Sequence, residues 1–175
     1  IRSQNVTFEG LKLDDIAFLP EEVHHRMLRS QVFPHDVLFN ITGASIGRCC
    51  AVPEGLGAAN VNQHVCILRV PNATEHDAGF LACVLGSPIG QRQLDALNTC
   101  GNRQGLNYQQ LGSFIVPWPH HRERRSIARL LSAFNLHIER EAEQLAKWRS
   151  VRSGVMSDLL TGRVRVPENI ELGAV

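Results

Sequence analysis

Two short polar segments carry the side chains with the most specific hydrogen-bonding chemistry in this chain. The first is Asn102, Arg103 and Gln104 between Gly101 and Gly105, and the second is the pair Asn62 and Gln63. Arg can form two parallel hydrogen bonds with guanine, and Asn or Gln can do the same with adenine. We therefore rank 102–104 first as candidates for direct reading of DNA bases, with Asn62 and Gln63 beside them. The alternative is solvated surface loops without a ligand.

A third polar segment is suited to binding phosphate. Thr42-Gly43-Ala44-Ser45 is followed closely by Arg48. The small residues let the backbone approach an anion, while Thr42 and Ser45 offer hydroxyl groups and Arg48 offers a charged fork. Thr42, Ser45 and Arg48 are thus candidate phosphate contacts. A plain hairpin turn explains the same residues equally well.

The sequence lacks the motifs of the common catalytic sites. It contains no G-x-S-x-G, no G-x-x-x-x-G-K-[ST], no G-x-G-x-x-G before a helix, and no Asn-Pro-Pro-aromatic run of an amino-methyltransferase. Its histidines include the adjacent pairs 24–25 and 120–121, whose side chains diverge, and zinc-ligand spacing is absent. We expect a binding protein without catalytic residues, metal or cofactor of its own.

The elements that must position these segments are short. Residues 36–51 contain two apolar runs around 42–45 and predict a β-hairpin, and 61–70 predicts a further strand. Apolar residues at three-to-four spacing predict two helices between 77 and 98. We also predict short strands within 1–19, a helix over 20–29 and a last strand over 114–116. Together these elements predict an α/β fold for the globular part, which ends near 119.

The segment from about 121 to 160 predicts one long helix, because it contains no proline and a single glycine, Gly154. Eight of ten positions of a seven-residue register are apolar, which is typical of a coiled-coil seam. A helix of 38 residues is about 57 Å long, so we expect it to project and to pair with another helix. The alternative is an amphipathic helix that folds back on its own domain. The predicted pairing residues are Ile127, Leu131, Phe134, Ile138, Leu145, Trp148, Val155 and Leu159, with Glu141 and Arg152 completing the register.

Composition places the chain among globular proteins. It has 175 residues, of which 43% are hydrophobic, and no apolar run long enough to span a membrane. Its five cysteines form no C-x-x-C pair, so we expect reduced thiols and a cytoplasmic protein. Residues 1–119 carry 8 basic and 10 acidic side chains, whereas residues 120–175 carry 10 and 7. We expect that the N-terminus at Ile1 is the cut edge of a longer protein.

Six phrases, in their order, resemble the DNA-specificity (S) subunits of Type I restriction-modification enzymes. The resemblance covers nearly the whole chain. Its last phrase is similar to the C-terminal conserved region of these subunits. The phrases are IRSQNV at 1–6, DVLFNITGASIGR at 36–48, NVNQ at 60–63, GNRQGLNYQQLGSFIVPWP at 101–119, ERRSIARLLSAF at 123–134 and KWRSVRSGVMSDLLTGRVRV at 147–166.

Two departures from the family pattern stand out. The family commonly has Glu-Gln before the conserved helix, where this chain has Glu123-Arg124. The strand and helix that usually precede the first phrase are absent. The second departure suggests a target-recognition domain that lacks its first elements.

The resemblance implies a domain organisation and a set of partners. It implies a DNA-reading target-recognition domain over 1–119, with an α/β fold made of a small twisted sheet and flanking helices. It also implies a conserved helix over 120–162 for dimerisation, spacing and methyltransferase docking, and a tail over 163–175. The protein would read one half of a bipartite DNA site. It would do so as half of a specificity subunit, paired antiparallel with a second copy or with the other half. Methyltransferase and restriction subunits would supply the catalysis and use S-adenosylmethionine, ATP and Mg²⁺.

Two alternatives remain open from the sequence. The chain could be the recognition portion of a fused restriction-modification enzyme, which the length of the native gene product would show. It could instead be a coiled-coil interaction module whose globular head binds another protein and reads no DNA.

Overall fold

The computed structural model describes residues 1–98 and 105–166. The chain divides into two compact units, Ile1–Ser132 and Ala133–Val175. The strands are β1 (Gln31–Val32), β2 (Val37–Asn40), β3 (Cys49–Ala51), β4 (Ala59–Asn60) and β5 (Val65–Leu68). The α-helices are α1 (Glu21–Arg26), α2 (Glu75–Gly86), α3 (Pro88–Asn98), α4 (Tyr108–Gly112) and α5 (His121–Leu160). The described chain is therefore mixed α/β, with a small sheet and a long C-terminal helix.

Strand β2 is the centre of the main sheet. The strand order is β3-β2-β5, and β2 pairs antiparallel with both neighbours. All four residues of β2 are buried, because each face of the sheet is covered by its own apolar cluster. Val37 and Phe39 pack into the cluster formed with α2, α3 and α4, while Leu38 packs into the cluster on the other face. Strands β1 and β4 form a separate antiparallel pair.

Several predicted elements are confirmed. Strands β2 and β3 form the hairpin expected within 36–51. The two helices expected between 77 and 98 are α2 and α3, and the long helix is α5. Strand β5 lies inside the predicted strand over 61–70 but occupies only its centre.

Three predictions of local structure are wrong. Residues 114–116 are not a strand, because the side chain of Gln93 takes both backbone hydrogen bonds of Ile115. Gln93 Oε1 accepts from Ile115 N (2.7 Å), and Gln93 Nε2 donates to Ile115 O (3.0 Å). The single helix expected over 20–29 is interrupted at Met27, which leaves α1 and a short 3₁₀ turn, Leu28–Ser30. The strands expected within 1–19 reduce to one bridge between Val6 and Leu11.

Within the first unit, an ion pair joins the start of α5 to α2. Arg124 donates to Asp77 (2.7 Å) and to the carbonyl of Pro119, and its guanidinium lies 4.3 Å from the Trp118 ring centroid. Burial disfavours the charge on Asp77, but hydrogen bonds from Thr74 and Arg124 outweigh burial and lower the pKa of Asp77. Ala128, one turn further along α5, is buried against Phe80.

The remainder of α5 is exposed. Every residue from 129 to 157 is exposed, including the apolar side chains of the predicted seam from Leu131 to Val155. The first residue of the predicted seam, Ile127, is instead half-buried and packs against the cluster of Phe80, Val84 and Ala128. Ile138 and Trp148 each expose 63% of their surface. At 1.5 Å per residue the 40-residue helix is about 60 Å long. Within the described ranges, no helix is both long enough and apolar enough to cross a bilayer.

Four of the five cysteines lie among the described residues, and all four are free thiols. Burial raises the pKa of Cys49 and of Cys50 to about 12, and it raises the pKa of Cys66 and Cys83 as well. Because the thiolate is the reactive form, burial protects these groups twice, by blocking access and by suppressing ionisation.

We predict that Cys49 and Cys50 resist alkylation by iodoacetamide at pH 8 in the folded chain and react once guanidinium unfolds it. In the unfolded chain both thiols ionise at about pH 8.5. Because folding keeps both thiols neutral, the stability of the folded chain is complete below that pH and is lost as the pH rises towards 12. Mass spectrometry of the modified peptides measures the alkylation. Urea unfolding at two pH values measures the change in stability. Equal modification rates in folded and unfolded chains would contradict the burial.

Candidate functional site

The antiparallel register of the sheet brings two of the predicted polar segments to the same end. Asn40, the last residue of β2, pairs with Val65, the first residue of β5, and Phe39 pairs with Cys49, the first residue of β3. The turn that leaves β2 and the turn that enters β5 therefore emerge side by side. We call residues 41–48 and 61–64 the polar end of the sheet.

The side chain of His64 joins the two turns. Its Nδ1 lies 2.7 Å from Thr42 Oγ1, and its carbonyl oxygen accepts from Ile41 N at 3.0 Å. Its own amide donates to Asn62 Oδ1 at 3.1 Å, and its Nε2 lies 3.5 Å from Gln63 Nε2. Three sequence-predicted residues, one on the first turn and two on the second, thus meet at one histidine.

Asn40 holds the second half of the first turn, residues 45–48, by hydrogen bonds. Its side chain is fully buried and donates to Ser45 Oγ (3.1 Å) and to the carbonyl of Ser3 (2.7 Å). Its backbone amide donates to Arg48 O, and its carbonyl accepts from Gly47 N. Gly43 (φ +75°) and Gly47 (φ +89°) supply the left-handed backbone that lets the turn close this tightly.

The first turn is a 3₁₀ turn over Gly43–Ser45 rather than an open loop. Thr42 and Ser45 are half-buried, whereas the side chain of Arg48 is exposed. Arg48 is one of the cations that hold the pKa of Glu9 below its ordinary value, after the larger effect of the hydrogen bond from Thr7. The turn therefore presents one charged side chain and two hydroxyl groups at its surface.

The two residues that follow the highest-ranked candidates in sequence, Gly105 and Leu106, lie at this end of the sheet. Asn102, Arg103 and Gln104 lie outside the described residues. Gly105, which follows them, is described: a Cβ added there would lie 2.7 Å from both Ile41 O and Thr42 Cγ2. Leu106 N then donates to Ile41 O at 2.7 Å. The chain that leaves 102–104 is thus fixed against the first turn.

Sequence reasoning missed two features beside the predicted residues. The sequence assigned no role to His64. Within the described ranges, no group of three or more His, Cys, Asp or Glu side chains could hold a metal ion. An open groove of 1380 Å³ was also missed; it borders Asn62 and Gln63 and is lined by Phe18, Leu28 and other residues of 13–30. The exposed apolar residues in that segment were the signal that could have revealed it.

No protein-family model matches this chain, and no curated protein matches it in sequence. The case for a function therefore rests on the geometry of the polar end and on the sequence phrases that carry the resemblance.

We predict that Gly105→Ala destabilises the chain by about 1–3 kcal/mol more than Gly10→Ala. Both glycines have strongly positive φ, +125° at Gly105 and +140° at Gly10, but a Cβ at Gly10 meets nothing within 4 Å. The control therefore carries the backbone strain, and the difference isolates the clash with Ile41 and Thr42. Urea unfolding of both variants measures it. Equal losses would mean that Gly105 does not lie against the first turn.

Proposed function

We propose that this chain is a DNA-specificity component of a Type I restriction-modification complex, which reads one half of a bipartite site. The observation that carries the proposal is the convergence at the polar end. Thr42, Ser45, Arg48, Asn62 and Gln63 lie on two adjacent turns, and the segment 102–104 leads into Gly105 beside them. Bases are read by such a cluster of amides and guanidinium groups, and phosphates are held by hydroxyls and arginine.

The hydrogen bonds within the cluster assign different capacities to its members. Asn62 Oδ1 already accepts from the His64 amide, so Asn62 has its Nδ2 left to offer a ligand and suits an acceptor such as phosphate. Gln63 is exposed, and its Oε1 accepts no hydrogen bond from another described residue. Ser45 Oγ accepts from Asn40 and retains its hydroxyl hydrogen to donate. Gln63 is therefore the better candidate of the two amides for bidentate base reading.

The charge balance favours a component that works within a complex. Residues 1–119 carry more acidic than basic side chains, and affinity for DNA depends largely on neutralising phosphates. The modification subunits would supply most of that charge, together with the methyl transfer and its S-adenosylmethionine. The chain itself would supply sequence discrimination.

Helix α5 supplies the surface for pairing. Its exposed apolar seam, spaced alternately by four and three residues, fits a partner helix. A length of about 60 Å exceeds one turn of DNA, roughly 34 Å, so a spacer of this size suits two separated half-sites. The partner would be a second copy or the other half of a longer specificity subunit.

We predict that replacing Asn102, Arg103 and Gln104 together by Ala abolishes sequence-specific DNA binding of the chain assembled with its methyltransferase subunits. Each well-formed bidentate contact discriminates by about 1–3 kcal/mol, so the loss of several removes specificity. Fluorescence anisotropy on duplexes selected from a randomised pool measures the effect at several salt concentrations. Asn72→Ala, at the opposite end of the sheet, is the control. Unchanged binding by the triple variant would support the rival interaction module instead.

We predict that Leu145→Glu, and likewise Trp148→Ala, abolishes pairing through α5 and leaves the first unit folded. Both side chains are exposed on the seam, and a glutamate there would place a charge between apolar surfaces. Ser150→Glu adds the same charge on the opposite face and should pair normally. Light scattering over a concentration series should give twice 19.4 kDa for the original chain and for this control. A dimer that survives Leu145→Glu, or an original chain that is strictly monomeric, would overturn self-pairing through this seam.

A further inference from the structure

Two charged residues interrupt the exposed apolar seam of α5. Glu141 and Arg152 occupy seam positions between Phe134 and Leu159. Both side chains are exposed, and neither forms an ion pair with another described residue. Arg152 has no acidic residue three or four positions away on α5, where a partner on the same helix would lie. Any partner helix that covers this seam must therefore supply the opposite charges or bury these two unpaired.

The seam from 134 to 159 is symmetric about its midpoint, which lies between Ala146 and Lys147. Its spacing of four, three, four, three, four, three and four residues is the same in both chain directions. A second copy of α5 that runs antiparallel about a two-fold axis at this midpoint therefore places every seam residue opposite another. The opposed pairs, each of which occurs twice, are Phe134 with Leu159, Ile138 with Val155, Glu141 with Arg152 and Leu145 with Trp148.

Of the pairings that keep the seam in contact, this arrangement alone joins opposite charges. In a parallel pair each seam residue faces its own copy, so Glu141 would face glutamate and Arg152 would face arginine. A shift of the antiparallel pair by seven residues, in either direction, places both charges opposite apolar residues instead. The charge pattern thus distinguishes one orientation and one register from the others.

The same arrangement covers the stretch of α5 that the described chain leaves exposed. Its two copies overlap over 133–160, about 42 Å of helix, and these residues belong to the second unit. The apolar seam residues within the overlap each expose between 39% and 63% of their surface. Ile127, which packs within the first unit, lies outside the overlap. The pairing therefore needs no seam residue that is already packed.

We propose that Glu141 and Arg152 form two reciprocal ion pairs between antiparallel copies of α5, so that they select a second copy of this chain as the partner and fix its register. This inference rests on the pairing through α5 in the proposed function and does not depend on DNA reading. It decides between a second copy and the other half of a longer subunit, because a self-complementary seam is what a two-fold interface between identical chains requires. Such pairs act mainly against wrong partners, since like or unpaired charges inside an interface are costly.

The first test exchanges the two charges in the full chain. Glu141→Arg and Arg152→Glu each place like charges opposite one another, so each should raise the dissociation constant of the dimer at least about tenfold. The double variant pairs opposite charges again and should recover the affinity of the original chain. Glu143→Arg and Arg140→Glu make the same charge changes off the seam and serve as matched controls. Sedimentation velocity over a concentration series measures the affinity, and circular dichroism reports whether each variant keeps its helix.

The second test determines the orientation of the two helices. Phe134→Cys and Leu159→Cys are made in separate chains, which are then mixed and treated with a short linker that joins two thiols. An antiparallel pair should be linked between the two variants and not within either, because the two copies of residue 134 would lie about 37 Å apart. A parallel pair would give the reverse. The original chain, with its own cysteines, gives the background.

The outcomes separate this inference from the proposed function. If Glu141→Arg and Arg152→Glu match their controls while Leu145→Glu abolishes the dimer, the seam pairs but these charges do not select the partner. Failure of the helical double variant to recover affinity, or linkage within either cysteine variant, also overturns the inference and leaves pairing intact. If the original chain is strictly monomeric, self-pairing fails, and DNA reading with the other half of a longer subunit still stands.

Discussion

The buried amide of Asn40 is the contact on which the arrangement of the polar end depends. It lies at the last position of β2, where an apolar side chain would continue the strand's pattern, and no part of it is exposed. Its Nδ2 group donates to Ser3 O and to Ser45 Oγ, so one side chain joins the N-terminal segment to the first turn. Leaving the buried N–H groups of Asn40 without partners would cost roughly 1–3 kcal/mol. These two bonds therefore make the turn geometry part of the stability of the sheet.

Elements that are specified by their own apolar spacing were predicted correctly, and an element that depends on a distant side chain was not. β2, β3, α2, α3 and α5 were predictable because their own apolar spacing specifies them. The strand expected over 114–116 failed because a side chain from α3, that of Gln93, took the backbone hydrogen bonds that a neighbouring strand would have made. Propensity cannot reveal such a long-range substitution.

At the candidate site, the residue types were visible in the sequence but their arrangement was not. Residue types alone made Thr42, Ser45, Asn62 and Gln63 candidates, because each has hydrogen-bonding groups suited to a base or a phosphate. The sequence could not show that these residues share one end of the sheet, since this follows from the pairing of Asn40 with Val65. His64 was missed for that reason: its partner Thr42 is 22 residues away, and only the register of β2 and β5 brings them together.

Arg124 replaces the Gln of the pattern that the sequence resembles, and its contacts give this departure a local cause. It pairs with Asp77 in a site where both side chains are only 13% exposed, and it stacks on Trp118. A glutamine could not provide the charge, and partly buried pairs of this kind are costly to break. Arg124, the residue that differs from the pattern, thus holds the start of α5 against α2 within the first unit.

Under the proposed function, the polar end would separate discrimination from affinity. Its described candidate groups are mostly neutral amides and hydroxyls, with Arg48 as the single arginine or lysine among them, and residues 1–119 carry a net negative charge. Neutral groups fixed by buried partners distinguish bases well but attract DNA weakly, because long-range attraction to phosphate scales with charge. A surface of this kind would discriminate only after another component had brought the duplex to it. The exposed seam of α5 would then be the means of joining that component, and the proposal accounts in this way for a weakly charged domain and a long helix with exposed apolar residues in one chain.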